Sequence, residues 1–303
     1  MLLEVVHETS YDYTRPVSLA HHLAHLQPLA DAHQRLLSFE LDIQPSPDQS
    51  RDSIDAFGNV QIHFSLSRPH EELCVCATSR VAIEARFAAL QAQASPDWES
   101  LAERLRYVAG APLAPTLEFA VPSPYVPRLA VLREYAATSF LPGRPVAEVA
   151  LELMHRVHAD FRYESRSTDI DTPLAQAFAQ KRGVCQDFAH LLTGGLRMWG
   201  VPARYVSGYL LTRSAASGEA LVGADASHAW VQVWCPGTPG VPDDGWLDLD
   251  PTNDLVPAYS HVRVAVGRDF GDVTPLRGVI RGGGRHRLHV GVTTRLLSAA
   301  VVS

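Results

Sequence analysis

Between Gly183 and Pro251 one helix-like run gives way to three strand-like runs, and that order most restricts the fold. The run GVCQDFAHLLTGGLRMWG (183–200) places Phe188, Leu191, Leu192 and Leu196 on one helical face, and Gly200-Val201-Pro202 ends it. ARYVSGYLL (203–211), SHAWVQVWC (227–235) and GWLDLDP (245–251) then read as strands. HVRVAVGRD (261–269) and HRLHVGVTTRLL (286–297) add more. A helix followed by antiparallel strands describes an α+β lobe.

The part before it reads differently. LLEVVHETSYDY, LLSFELDIQPSP, NVQIHFSLS and LCVCATSRVAIEA alternate with period two, and Asp, Gly, Pro and Ser separate them. Asp55-Ala56-Phe57-Gly58-Asn59 has the composition of a hairpin turn. Residues 1–88 are therefore expected to form an antiparallel β-sandwich. Residues 89–144 carry short helical pieces broken by prolines and are too apolar for a solvated tether, so they read as a wrapping connector. Residues 145–303 are expected to form the catalytic domain with a C-terminal β tail. Its first helix spans 145–160, with Pro145 at the first helical position and Val146, Val149, Leu153 and Val157 on one face. Gly282-Gly283-Gly284 reads as a hairpin tip.

Composition bounds the function. The chain is 46% hydrophobic and 19% charged, which excludes a mostly disordered protein. A net charge of -7 is the wrong sign for a dedicated nucleic-acid binder. The start, MLLEVVHETSYDY, has no basic region followed by a long apolar core, and no apolar stretch reaches the length that spans a bilayer. The four cysteines do not form a disulfide pattern: Cys74 and Cys76 are two apart on a strand-like run, and Cys185 and Cys235 are distant. A cytoplasmic location with reduced thiols is the expectation. His21, His22 and His25 invite a metal reading. No Glu completes an HExxH pattern and no Cys is near, so neither a metal nor another cofactor is expected.

Three residues together carry chemistry. Cys185 falls at the first turn of the helix, where unpaired backbone N–H groups and the helix dipole favour an anion. The thiolate is the nucleophilic form of a cysteine, and the same N–H groups suit an oxyanion. His228 opens one strand, and Asp250 closes the next, where Pro251 stops the ladder. Antiparallel pairing sets the start of the first beside the end of the second, as a base and its orienting carboxylate require. Asp248, on the same strand, is the competitor. Singly, each residue has an ordinary reading: a small buried hydrophobe, a strand-edge histidine, a turn aspartate. The ordered set is what points to a Cys-His-Asp site. Gln186, Asp187, Trp230, Tyr163 and Tyr209 are further candidates for oxyanion or substrate contact. Asp187 has helix capping as its alternative, and the aromatics have core packing. His190 reads as structural.

GlyValCysGlnAspPheAlaHis, ProAlaArgTyrValSerGlyTyr, SerHisAlaTrpValGlnValTrp and GlyTrpLeuAspLeuAspProThrAsn resemble the transglutaminase-like core, in order and spacing. The N-terminal β module, from HisGluThrSerTyrAspTyr to AspAlaPheGlyAsn, is similar to the domain before the core in bacterial members, and the tail ValGlyArgAspPheGlyAspValThrProLeuArgGly is also familial. The resemblance implies a papain-like fold with Cys185 as nucleophile, His228 as base and Asp250 as its partner. The superfamily holds crosslinkers, peptidases, amidases and inactive members. Amide hydrolysis through a thioester is the expected reaction, with transfer to an amine or a non-catalytic binding role as alternatives. A peptide or protein is the expected substrate, with neither nucleic acid nor membrane as partner. The β module offers a surface for substrate recognition or homo-oligomer formation.

Overall fold

The computed structural model describes residues 1–110, 112–165, 167–211 and 227–297. Alternating residues build β1 (Leu2–Ala24), β2 (Gln34–Gln44), β3 (Gln49–Ile54), β4 (Val60–Leu66) and β5 (His70–Ile83). The connector contributes α1 (Trp98–Arg104) and α2 (Ala130–Ala137), and then come α3 (Val146–Asp160), β6 (Arg162–Tyr163), α4 (Leu174–Gln180), β7 (Arg182–Gly183) and α5 (Cys185–Arg197). Then follow β8 (Ala203–Leu210), β9 (His228–Trp234), β10 (Trp246–Leu249), β11 (His261–Gly267), α6 (Phe270–Val273), β12 (Leu276–Gly282) and β13 (His286–Leu296).

The long strand β1 organises the N-terminal module. Its first half, Leu2–Asp12, lies between β5 and β13, and its second half, Ala20–Ala24, lies between β4 and β12. The pairing with β5 shifts register between Asp12 and Val17, a stretch that contains Pro16, which has no N–H for a ladder. The two halves fold onto one core: Leu73, Val75 and Ala77 meet Ala20, Ile62, Phe64 and Leu66. Strands 276–296, expected with the catalytic domain, thus complete the N-terminal sheet. Gly282, Gly283 and Gly284, all at positive φ, cross from one half to the other and are not a hairpin tip, because β12 and β13 each pair with β1. The Asp55–Asn59 turn forms as expected, with the Asp55 carboxylate accepting from the backbone N–H of Phe57 and of Asn59.

The core sheet runs β10-β9-β8-β11. One face, with Ala203, Tyr205, Ala229, Val231, Val233, Leu247 and Leu249, packs on Ala189, Leu192 and Leu196 of α5. Behind α5, α3 adds Val146, Val149, Ala150 and Leu153; Pro145 precedes α3 rather than beginning it. The connector packs here too, through Leu101, Leu105, Ala136 and Phe140. On the edge strand β11, the Gln34 amide donates to Arg263 O and accepts from Arg263 N, and the Asn59 amide does the same with Val266. Two side chains of the N-terminal module thus satisfy an edge that would otherwise be open to further pairing. Among the described residues no helix is long and apolar enough to cross a membrane.

Candidate active site

Val184 is the N-cap of α5, so Cys185 is the first helical residue, and it is half-buried. The first α5 amide to reach its helical carbonyl is that of Phe188, bonded to Val184 O at 3.1 Å. The amides of Cys185 and Gln186 precede it, which leaves backbone donors beside the thiol. Asp187 keeps this turn in place. Its Oδ2 accepts from Val184 N at 2.8 Å and from Thr168 Oγ1 at 2.6 Å, and burial pushes its carboxyl up. A Cβ on Gly183 would lie 2.6 Å from that oxygen, so the cap needs glycine there. Gln186 donates its side-chain amide to Ile170 O at 3.0 Å. Through Thr168 and Ile170 these two side chains hold the 167–172 segment against the helix start; the Asp187 carboxylate is an acceptor, and Ile170 O takes one of the two N–H groups of the Gln186 amide.

His228 and Asp250 meet as strand pairing requires. In β9 and β10 Asp248 faces Gln232 and Leu249 faces Val231, so continuing that register brings Asp250 level with Trp230 and near His228. His228 Nε2 lies 2.9 Å from Asp250 Oδ2. Pro251 ends the ladder, and the turn folds back on the carboxylate: Thr252 N (2.9 Å) and Asn253 N (3.2 Å) donate to Oδ1, and Asn253 Nδ2 (2.8 Å) donates to Oδ2. A second histidine, His261, also places Nε2 2.9 Å from Oδ2. Asp250 therefore accepts five hydrogen bonds while fully buried.

The charges follow. Burial alone opposes a positive His228, but the charge and hydrogen bond of Asp250, with Cys185, override it and push His228 up to about 10. Burial also opposes the Asp250 anion, yet the His228 charge and the two imidazole hydrogen bonds hold its carboxyl well below the usual range. Cys185 is close enough to act on the His228 ring, while His228 Nδ1 has no partner of its own at hydrogen-bond geometry. With Nε2 committed to Asp250, Nδ1 is the nitrogen left for the thiol. Such contacts commonly tighten only when substrate binds.

The other candidates separate. Asp248 turns to Arg86 Nη1 at 3.5 Å and is buried apart from His228. Trp230 is fully buried, stacked 6.1 Å from His228 and edge-on to His261 at 5.0 Å. It lies over Gly208, where a Cβ would come within 2.6 Å of the indole. Leu29 and Phe57 of the N-terminal module pack against the cluster that it forms with Val206 and Val266. Tyr209 is also buried, but its hydroxyl bonds His7 Nδ1 at 2.9 Å, at the contact between β1 and the core sheet. Tyr163 packs against Phe188. His190 is buried and accepts from Phe270 N. His21, His22 and His25 sit on or beside β1, where i, i+4 spacing is not a helical face; His22 stacks on Phe64. All four cysteines are free thiols.

Among the described residues, His228, Asp250 and His261 form the one group whose metal-type ligand atoms lie within 4.8 Å of one another. A carboxylate can only accept, so each Nε2 at 2.9 Å from Oδ2 carries a proton. Sequence reasoning missed His261 and Asn253. Both stood in the quoted motifs, and the signal available was another strand-opening histidine and an amide three residues past the aspartate.

Residues 3–82 match the profile of the bacterial transglutaminase-like N-terminal region, and residues 134–251 match that of the transglutaminase-like superfamily. An uncharacterized protein of Mycobacterium tuberculosis is 38% identical over 278 residues, which is 91% of this chain and 86% of its own length. A protein-glutamine gamma-glutamyltransferase of Pseudomonas aeruginosa is 33% identical over 118 residues, 38% of this chain and 17% of the relative. The crystal structure of a Cytophaga hutchinsonii protein, provisionally described as a cysteine protease, superposes with a TM-score of 0.71 at 20% identity, covering 99% of this chain and 92% of that one. The chain belongs to the transglutaminase-like superfamily, in the form that carries the bacterial N-terminal region.

Proposed function

We propose that this protein is a cysteine hydrolase of amide bonds in a peptide or protein, with Cys185, His228 and Asp250 as its catalytic set. The observation that carries this is the buried 2.9 Å bond between His228 Nε2 and Asp250 Oδ2, with Cys185 acting on the same imidazole. The Cys185 sulfur attacks the carbonyl carbon, and its proton resides on His228. The developing oxyanion is met by backbone N–H groups at the start of α5. The C–N bond breaks as His228 Nδ1 gives its proton to the leaving amine, and a thioester remains. His228 then takes a proton from water, the hydroxide equivalent adds to the thioester, and the C–S bond breaks. The products are a carboxylic acid and the free thiol. Asp250 keeps the ring in the tautomer that leaves Nδ1 for these transfers.

Transfer to a primary amine differs only in the acceptor that reaches the thioester. The likeness to the Pseudomonas aeruginosa gamma-glutamyltransferase, confined to 38% of this chain, supports that second reading. Which product forms depends on whether water or an amine reaches the thioester first. The test is a library of glutamine-containing and unmodified peptides, with and without a fluorescent primary amine. Cleaved peptide or free acid that appears with the wild type and not with Cys185→Ala supports hydrolysis. Amine incorporation exceeding hydrolysis transfers the reading to acyl transfer, and equal turnover by Cys185→Ala removes both.

A further inference from the structure

His261 is the member of the buried cluster that no step above uses. It opens β11, 11 positions past Asp250, and is 6% exposed. Its Nε2 shares Asp250 Oδ2 with His228, and its Nδ1 lies 2.9 Å from Ser260 Oγ. Because the carboxylate only accepts, Nε2 bears the proton and Nδ1 accepts from the hydroxyl. Both nitrogens are thus satisfied by a neutral ring. The edge-on contact with Trp230 at 5.0 Å keeps the ring from turning away. Burial also favours the neutral form.

An oxygen that accepts a hydrogen bond has less charge to offer its next donor. Oδ2 already serves His228 and Asn253, and His261 makes a third donor. We infer that His261 is a positioning residue: it fixes the Asp250 carboxylate and limits how firmly that carboxylate holds the proton on His228. This rests on Cys185, His228 and Asp250 being the catalytic set. The titratable groups facing His228 are Cys185 from α5, Asp250 from the end of β10 and His261 from β11, and β8 presents Gly208 opposite it. The consequence is kinetic. A group that must give up and regain a proton in each turnover works best when its pKa lies near the working pH, and an unshared buried aspartate would hold the imidazolium too firmly.

The test uses the full chain with His261→Phe, which keeps a ring and removes the donor, and His261→Gln, whose amide can donate to Oδ2. The protonation midpoint of His228 is followed by carbon-13 NMR of the imidazole and assigned by loss of the signal in His228→Gln. The Phe variant is expected to move the midpoint upward by roughly half a pH unit, and the Gln variant to restore the wild-type value. A merely structural role would lower thermal stability without moving the midpoint. An unchanged or lower midpoint in folded His261→Phe overturns the inference, as does a Gln variant that moves like Phe. If the Phe variant does not fold, His261→Asn, too short to reach Oδ2, takes its place. Alkylation of Cys185 in the wild type is read in parallel. If Cys185 reacts no faster than Cys74 or Cys76, the catalytic reading fails by itself, and the His228 midpoint still decides this inference.

Discussion

Asp248 Oδ2 lies 3.5 Å from Arg86 Nη1, and that contact separates two aspartates that sit two residues apart. Asp248 faces Gln232 within the ladder and helps neutralise a buried arginine. Asp250, past the end of β10, faces two histidines. Asp250→Asn therefore costs orientation and charge at His228, with an expected loss of about 10²–10⁴ in kcat/KM. Asp248→Asn leaves Arg86 with less compensation and lowers stability by about 2 kcal/mol, with turnover within about threefold of wild type. Steady-state kinetics and thermal melting of both variants check this. The reverse order of kinetic effects would reassign the carboxylate.

The four thiols occupy unlike surroundings, which makes reactivity a direct probe. Burial, with the nearby Glu8, pushes the Cys74 and Cys76 thiols up, and burial alone pushes Cys235 up strongly. Cys185 sits at a helix N-terminus beside His228. Iodoacetamide at neutral pH is expected to label Cys185 at least tenfold faster than the others, as mapped by peptide mass spectrometry. His228→Ala is expected to remove most of that advantage. Labelling of Cys74 or Cys76 at the same rate would mean the thiol is not activated.

The parts legible in the sequence were those with a local cause. Period-two alternation marked the strands of the N-terminal module, the Phe188-Leu191-Leu192-Leu196 stripe marked α5, and strand order with Pro251 singled out Asp250 over Asp248. The pairing of β12 and β13 with β1 was not legible, because it joins residues more than 250 positions apart and no local pattern records a distant partner. The same holds for Gln34 and Asn59, whose amides end the core sheet from another module. His261 escaped for a related reason. Its strand was recognisable, but its place beside Asp250 depends on how the turn after Pro251 folds back and on β11 joining the sheet beside β8.

Tyr209 tests the division between site and scaffold. Its buried hydroxyl bonds His7 Nδ1, and its ring meets that imidazole edge-on at 5.5 Å. Burial pushes His7 down to about 4, so the pair is neutral near pH 7. Tyr209→Phe strands a buried imidazole nitrogen and is expected to cost about 1–3 kcal/mol, read as a lower midpoint in urea unfolding. The Cys185 labelling rate should not change. A variant of wild-type stability with slowed labelling would place Tyr209 in the site instead.

Stability should peak near pH 6.5, for reasons of opposite sign on either side. His228 is raised from 6.5 to about 10 in the folded state, so its contribution is complete below 6.5 and is lost as pH rises toward 10. His7 and His22, lowered to about 4, and His190, lowered to about 3, are buried neutral; their contribution is complete above 6.5 and is lost as pH falls through those values. The depressed Asp250 carboxyl acts in the same direction at still lower pH. Above pH 4 only the alkaline side depends on Asp250, because its charge and hydrogen bond are the main influences that raise His228. Between pH 7 and 9 the wild type is therefore expected to lose up to about 1.4 kcal/mol per pH unit through this pair, a slope that Asp250→Asn should lack. The acid side should survive that substitution. Calorimetric melting of both proteins from pH 4 to 9 measures the two slopes, and parallel alkaline slopes would show that Asp250 does not hold the His228 proton.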